Sequence, residues 1–304
     1  MRTLLHNKSA TGTRLEKFGL ALKASPPLLS RSRQLIFLCG ANQAPDTPSV
    51  RRTSLKNFIQ KASVTSTVIY AEGVFNELRK YGNTKNALDL EHKIAEVADK
   101  VIIVLESESA YCELGAFAHE ALRKKLIVIN DSQFKSSASF INLGPIAALE
   151  ETKAPVIWYP MAPNGTKMLD GIGATFPEVK NAIAHTSSHG TPVDYDVLSS
   201  LEMNKTCLYF VHDLVLFAGP ISHEEIILIL KAIFGKKGFD TVKSLLGVLR
   251  ESQLVTVQQI DEKTRVYKAS STDSFLQYRT DTYALMSAFR VYHLKFHPER
   301  LQHG

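Results

Sequence analysis

Short, wholly apolar runs recur through the first half of the chain, each followed by a polar break and then by helical spacing. Residues 34–40 (QLIFLCG), 67–71 (TVIYA), 100–105 (KVIIVL), 125–130 (KLIVIN) and 154–159 (APVIWY) read as strands. Unbroken apolar runs of this length belong to strands buried on both faces, as in a parallel sheet covered by helices. Between them, 50–63, 74–80, the stretch in which Leu90, Ile94, Val97 and Ala98 recur, and 112–123 predict helices. The alternation predicts an α/β fold, a doubly wound parallel sheet of the flavodoxin or Rossmann kind. Ligands of such sheets bind beyond the carboxyl ends of the strands. Here those ends are Gly40-Ala41-Asn42, Ala71-Glu72, Glu106-Ser107 and Asn130-Asp131.

The rhythm then changes. Residues 160–175 are rich in Gly and Pro and predict an irregular loop, 177–184 a short helix, and 185–194 a linker. An apolar helix is expected over 197–217, stopped by Gly219-Pro220. Ser222 is a good N-cap, with Glu224 and Glu225 in the first turn of a helix running to Phe234. A third helix follows over 240–251, then strands 254–260 and 265–269 around a polar turn, and a last helix over 275–296. Three helices and a hairpin predict a mainly helical winged helix-turn-helix domain. The expected divisions are a 1–33 segment, a 34–190 α/β domain and a 191–304 winged-helix-like domain.

Composition narrows the class. The chain has 304 residues, 44 % hydrophobic and 22 % charged, a folded rather than disordered balance. No apolar run reaches the roughly 18–20 residues of a membrane helix. Cys39, Cys112 and Cys207 are far apart, which speaks against a disulfide scaffold and for a reducing compartment, the cytoplasm. The ten histidines show no metal-ligand spacing, so no metal site is expected. A GxxxxGK[ST] phosphate loop and a GxSxG nucleophile elbow are both absent.

Net charge is +6, and residues 1–33 account for it with seven basic groups against Glu16. This predicts a basic arm suited to nucleic acid, with Arg2, Lys8, Arg14 and Lys17 as contacts. A transit peptide and a solvated tail are the alternatives. In the C-terminal domain Lys236, Lys237, Lys243, Arg250, Lys263 and Arg265 are the candidate nucleic-acid contacts. Residues 198–304 balance thirteen basic groups with eleven acidic ones, so protein docking stands beside nucleic-acid binding.

The chemistry concentrates in Ala98–Ser132. A buried strand delivers Glu106 to the sheet edge, a Ser-rich loop follows, and Glu113 is expected in the first turn of the next helix. There the helix N-terminus would favour its ionised form. A fixed carboxylate suits an anomeric carbon, by covalent attack or by stabilising an oxocarbenium-like transition state. An ordinary capping acid is the alternative. Glu91 is either a supporting acid or a solvated residue of its helix.

The residues Ile36-Phe37-Leu38-Cys39-Gly40, Glu106-Ser107, Glu113-Leu114-Gly115-Ala116-Phe117, Phe134-Lys135-Ser136, Ser139-Phe140-Ile141-Asn142 and Gly144-Pro145 form a resembling set. They resemble the effectors (toxins) of bacterial retrons, two-domain proteins of the nucleoside deoxyribosyltransferase-like class. Glu72 keeps an acid of that pattern, although Tyr70-Ala71-Glu72-Gly73 lacks a following Asp, and Glu106 stands where many transferases have Asp.

The resemblance implies N-glycosidic cleavage in anti-phage defence. NAD is the leading substrate and no separate cofactor is implied. A reverse transcriptase and its RNA–DNA hybrid (msDNA) are implied as restraining partners, within an oligomer or higher-order assembly. It implies Glu113 as nucleophile or oxocarbenium stabiliser. It places Gly40, Ala41, Asn42, Glu72, Glu106, Ser107, Ser109, Tyr111, Ser139 and Asn142 around substrate, with turn capping the alternative for the last two. Cleavage or (deoxy)ribosyl transfer on another nucleoside or nucleotide, and a nucleotide-sensing DNA-binding regulator, are the rival expectations.

Overall fold

The computed structural model describes residues 9–30, 33–80, 86–184, 190–235, 238–262 and 264–301. The chain forms two compact units. One is Arg33–Thr186; the other joins Met1–Ser32 to Ser187–Gly304.

The Arg33–Thr186 unit is built on a five-stranded sheet. In chain order its strands are Gln34–Cys39, Ser66–Ile69, Lys100–Val104, Leu126–Asp131 and Val156–Tyr159. All pairings are parallel, and the spatial order is second, first, third, fourth, fifth. The strand order therefore reverses between the first and third strands, where a doubly wound sheet opens its ligand crevice. Alternate side chains divide the apolar runs between the two faces. Ile36, Leu38, Ile102, Val104, Ile127 and Ile129 meet Leu55 and Ile59 of the helix Val50–Ala62 and Val179 of the helix Phe176–Ala182. Phe37, of opposite parity, meets Phe117 of the helix Glu108–Phe117, with ring centroids 6.2 Å apart. Cys39 shares the parity of Phe37.

The other unit contains an unexpected element. Within the stretch expected to be a basic arm, Ala10–Ala24 is a helix capped by Ser9, burying Thr11, Leu15, Phe18 and Leu22. Phe18 packs against Phe217 and Tyr278, with centroids 6.0 and 5.2 Å away. The strand Leu28–Leu29 then pairs antiparallel with Leu276–Gln277. The expected 197–217 helix is two, Tyr195–Ser200 and Lys205–Ala218. Leu201 takes a left-handed conformation between them, and the Asn204 side chain accepts from Cys207 N at 2.8 Å. Helices His223–Phe234 and Thr241–Glu251 follow. The first carries the full Ser222/Glu225 capping box. Strands Val255–Gln259 and Arg265–Ala269 form a hairpin, and Ile221–Ser222 adds a third strand beside the latter. The last helix is confined to Thr282–Phe296, because residues 276–277 are strand.

Asp213 ties this unit together. It is fully buried and accepts hydrogen bonds from Phe275 N, Leu276 N and the Tyr278 hydroxyl, each at 2.9 Å, with His212 Nδ1 also 2.9 Å away. Burial and the Asp213 charge push the Tyr278 hydroxyl well above its usual pKa. Removing the acceptor strands two backbone N–H groups and a phenol. Asp213→Ala is therefore expected to cost about 3 kcal/mol or more in urea unfolding. A loss under about 1 kcal/mol would show that water replaces the carboxylate.

Among the described residues, no helix is long and apolar enough to cross a membrane.

Candidate active site

The crevice between the first and third strands is lined by acids and two adjacent arginines. Ser49 caps the helix Val50–Ala62, its hydroxyl accepting from Arg52 N at 3.1 Å. This places Arg51 and Arg52 in the first turn, where they diverge into separate networks.

Arg52 is 2 % exposed and lies on the buried stripe Arg52, Leu55, Ile59. Its Nη1 pairs with Glu72 Oε1 at 2.7 Å and donates to Asn42 Oδ1 at 2.7 Å and Ala41 O at 3.3 Å. Its Nη2 donates to Leu38 O at 2.9 Å and Glu72 Oε2 at 3.2 Å. The guanidinium stands over the Tyr70 ring, 4.6 Å from its centre. Burial alone would lift the Glu72 carboxyl, but Arg52 outweighs it and holds Glu72 below the usual range. The first turn of the helix Ala71–Arg79, where Glu72 sits, has the same sign of effect.

Arg51 points the other way. It pairs with Glu106 Oε2 at 3.1 Å and with Asp170 Oδ2 at 2.7 Å, and donates to Ala162 O at 2.5 Å. The other oxygen of Glu106 accepts from the Ser49 hydroxyl at 2.5 Å and Ala41 N at 3.1 Å. The Glu106 side chain is fully buried. Both oxygens are thus committed to the loop after the first strand and to Arg51, so Glu106 builds the wall of the crevice and offers no free acceptor to a ribose. Gly40 is needed beside this wall. Its φ is +148°, and a Cβ there would meet Glu106 Oε1 at 3.0 Å and Arg52 Cδ at 3.1 Å.

Glu113 corrects an expectation. The helix starts at Glu108, with Ser107 as the cap, its hydroxyl accepting from Ala110 N at 3.3 Å. Glu113 therefore lies in the second turn, beyond the reach of the N-terminal field. It falls on the buried stripe of Ala110, Leu114 and Phe117, which turns it inward. Its Oε2 is buried with no hydrogen-bond partner among the described residues. Burial, with the nearby Glu91 charge, pushes its carboxyl up to about 8, against the pull of Arg52. Glu91 is half-buried rather than a solvated helix acid, and burial and Glu72 raise it too. Cys39, buried at the end of the first strand, is raised by burial and by the Glu113 charge. Cys39, Arg52, Glu72, Glu91 and Glu113 thus feel one another electrostatically.

The remaining candidates separate from this cluster. Ser107 and Ser109 bond each other, hydroxyl to hydroxyl, at 3.0 Å in the helix cap. Ser139 accepts from Asn142 N at 3.4 Å, and the Asn142 amide donates to Phe134 O and Ser137 O, both at 2.8 Å, so their bonds shape the local turn. Ser107 and Tyr111 line a second cavity of about 370 Å³ with Asp131, Gln133, Phe134 and Met161. Of the basic candidates, Arg14 and Lys17 are exposed, while Lys243, Arg250 and Arg265 are half-buried and engaged. Arg2, Lys8, Lys236, Lys237 and Lys263 lie outside the described residues.

Sequence reasoning missed Arg52 and Arg51. The signal was present as an arginine at a core position of an amphipathic helix, spaced three and seven residues from Leu55 and Ile59.

The profile of the STM3845 retron effector proteins matches residues 48–257 of this chain. Two Escherichia coli proteins are similar to it, both named "putative ribosyltransferase/DNA-binding protein". That of retron Ec73 is 33 % identical over 280 residues, 89 % of this chain and 88 % of the relative. That of retron Ec86 is 40 % identical over 117 residues, 38 % and 37 % of the two chains. The matched region spans both units, and the chain belongs to the STM3845 family of retron effector proteins.

Proposed function

We propose that the Arg33–Thr186 unit is an N-glycosidase that cleaves the bond between ribose and nicotinamide in NAD. The observation that carries this reading is Glu113, buried with an oxygen that has no partner among the described residues, and feeling the charges of Arg52, Glu72 and Glu91. In the resting site the carboxyl is mostly protonated, since its pKa is about 8. A pyridinium ring entering beside it favours the anion. The carboxylate then attacks C1′ or holds the oxocarbenium charge by its field. The C1′–N bond breaks, and its electron pair neutralises the ring nitrogen, so nicotinamide leaves without needing a proton. Water adds at C1′, and its proton passes to Glu113. Arg52 and Glu72 keep the loop after the first strand in place.

The relatives' name favours a second acceptor, a ribosyl transfer to something other than water. Mass spectrometry of nucleotide pools separates the two after expression of wild type and Glu113→Gln. Loss of NAD with matching nicotinamide and free ADP-ribose, in wild type only, supports hydrolysis. Nicotinamide without free ADP-ribose points to transfer, and another free base moves the substrate to a different nucleotide. Identical pools in the two proteins would remove the catalytic reading and leave the nucleotide-sensing regulator.

A pH dependence follows. The reactive form is the anion, so kcat/KM is expected to fall about tenfold per pH unit below a midpoint near 8 and to level above it. A profile flat from pH 6 to 9 would assign the essential group elsewhere.

We further propose that the chain acts in anti-phage defence and is held inactive by the retron reverse transcriptase and msDNA, as a member of a larger assembly. The three helices Lys205–Ala218, His223–Phe234 and Thr241–Glu251, with the strands Ile221–Ser222, Val255–Gln259 and Arg265–Ala269, support a winged-helix reading. The third helix buries seven of its eleven residues, which leaves little of it to read a DNA groove. Exposed Arg14 and Lys17 on the Ala10–Ala24 helix are the better phosphate contacts.

A further inference from the structure

We infer that the second cavity of the Arg33–Thr186 unit, at the carboxyl ends of the third to fifth strands, receives the other nucleoside of a dinucleotide whose scissile riboside lies at Glu113. This rests on the N-glycosidase reading and extends it to a second recognition site, centred on Asp131.

Position is the first argument. Arg51 and Glu106 line this cavity, whereas Arg52, Glu72 and Glu113 do not, so it lies beside the Glu113 cluster and not within it. The first and fourth strands are two intervals apart in the sheet, about 10 Å at ordinary strand spacing. That is the scale of two riboses joined through a pyrophosphate.

Chemistry is the second argument. The charged groups lining the cavity are Arg51, Glu106, Glu108 and Asp131. Arg51 is already bound by Glu106, Asp170 and Ala162, and Glu106 is enclosed. What faces a ligand is therefore acceptor-rich, which disfavours a phosphate and favours hydroxyl and amino donors. Asp131 ends the fourth strand at 7 % exposure. Its Oδ1 accepts from Gln133 N at 3.1 Å and Met161 N at 3.4 Å, which fixes the carboxylate. Its Oδ2 is held by the side-chain amide of exposed Gln133, which can swing into solvent and yield to a ribose hydroxyl. The Tyr111 hydroxyl makes no hydrogen bond among the described residues and faces the same cavity. Phe134 stays 45 % exposed, a flat apolar surface for a base.

The test compares NAD with nicotinamide mononucleotide, which lacks the second nucleoside. In Asp131→Asn, and separately in Phe134→Ala, the ratio of KM for NAD to KM for the mononucleotide is expected to rise about tenfold. Phe134 is exposed, so its variant tests the site even if Asp131→Asn disturbs folding. An unchanged ratio in both variants overturns the proposal. Calorimetric titration of adenosine into the wild-type chain gives a readout free of turnover. Saturable binding, weakened about tenfold or more in Asp131→Ala, supports the site, and no binding to wild type overturns it. If neither substrate is cleaved but adenosine binds through Asp131, the subsite stands and the N-glycosidase reading falls. If NAD is cleaved and the ratio does not move, the subsite alone falls.

Discussion

Glu113→Gln is expected to lower turnover by roughly a thousandfold or more and, at the same time, to raise the melting temperature at pH 7. The first effect follows from the role of the carboxylate at C1′, which an amide can neither attack with nor supply as a charge. The second follows from proton linkage. Glu113 titrates near 8 in the folded chain against an ordinary 4.5. Between those values the unfolded chain ionises it and the folded chain does not, so the group opposes folding increasingly as pH rises from 4.5 to 8. At pH 7 the penalty is at most about 3 kcal/mol, and glutamine removes it. Several degrees in melting temperature are expected, shrinking towards zero as pH falls below 4.5. An inactive variant with no such pH-dependent gain would mean that Glu113 is solvated in the folded chain. A stabilised variant that keeps full turnover would mean that the buried acid is structural.

The sheet was legible in the sequence because its strands are apolar on both faces, leaving no ambiguity of period. Strand and helix alternation pointed to the four strand ends, Gly40-Ala41-Asn42, Ala71-Glu72, Glu106-Ser107 and Asn130-Asp131, but the switch point among them needs the strand order. The state of Glu113 was not legible, and the reason is one turn of helix. The segment Glu106-Ser107-Glu108-Ser109 offers two serines as caps, and choosing a start at Cys112 puts Glu113 in the positive field of the first turn. Ser107 is the actual cap. That shift moves Glu113 out of the helix field and onto the buried stripe, which reverses the direction of its pKa. The helix Ala10–Ala24 was hidden differently. Thr11, Leu15, Phe18 and Leu22 follow helical spacing, but the seven basic groups of residues 1–33 made the whole stretch read as solvated. Charge described its exposed side and said nothing of the buried one. The apolar strand before Glu106 implies its place at the sheet edge, but its partners come from Ser49, Arg51 and Ala41, more than fifty residues away in sequence, and no local pattern shows them.

Arg52→Met is expected to destabilise the chain by about 3–5 kcal/mol, the usual result of removing one partner from a buried ion pair. Methionine fills much of the space left by the arginine stem, so the loss is mainly electrostatic. Glu72 would be left without its cation and the Leu38 carbonyl without its Arg52 donor, while the Ala41 carbonyl would keep only Ser49 N. Glu72 would then protonate at higher pH. Glu113 would also move further up, because Arg52 is the group that pulls it down. The midpoint of the kcat/KM profile should therefore shift above 8 in whatever fraction folds. Adding Glu72→Gln removes the stranded anion and should recover part of the lost stability, a coupling of the kind found between directly paired groups. The double variant should not recover activity, since the loop after the first strand still lacks the Arg52 fork. Urea unfolding of the single and double variants measures the coupling. Strictly additive losses would show that Arg52 and Glu72 are independent in solution and that the loop is held by the backbone contacts alone. A coupled pair would instead make Arg52 the group that sets both the shape of the crevice and the charge at which Glu113 works.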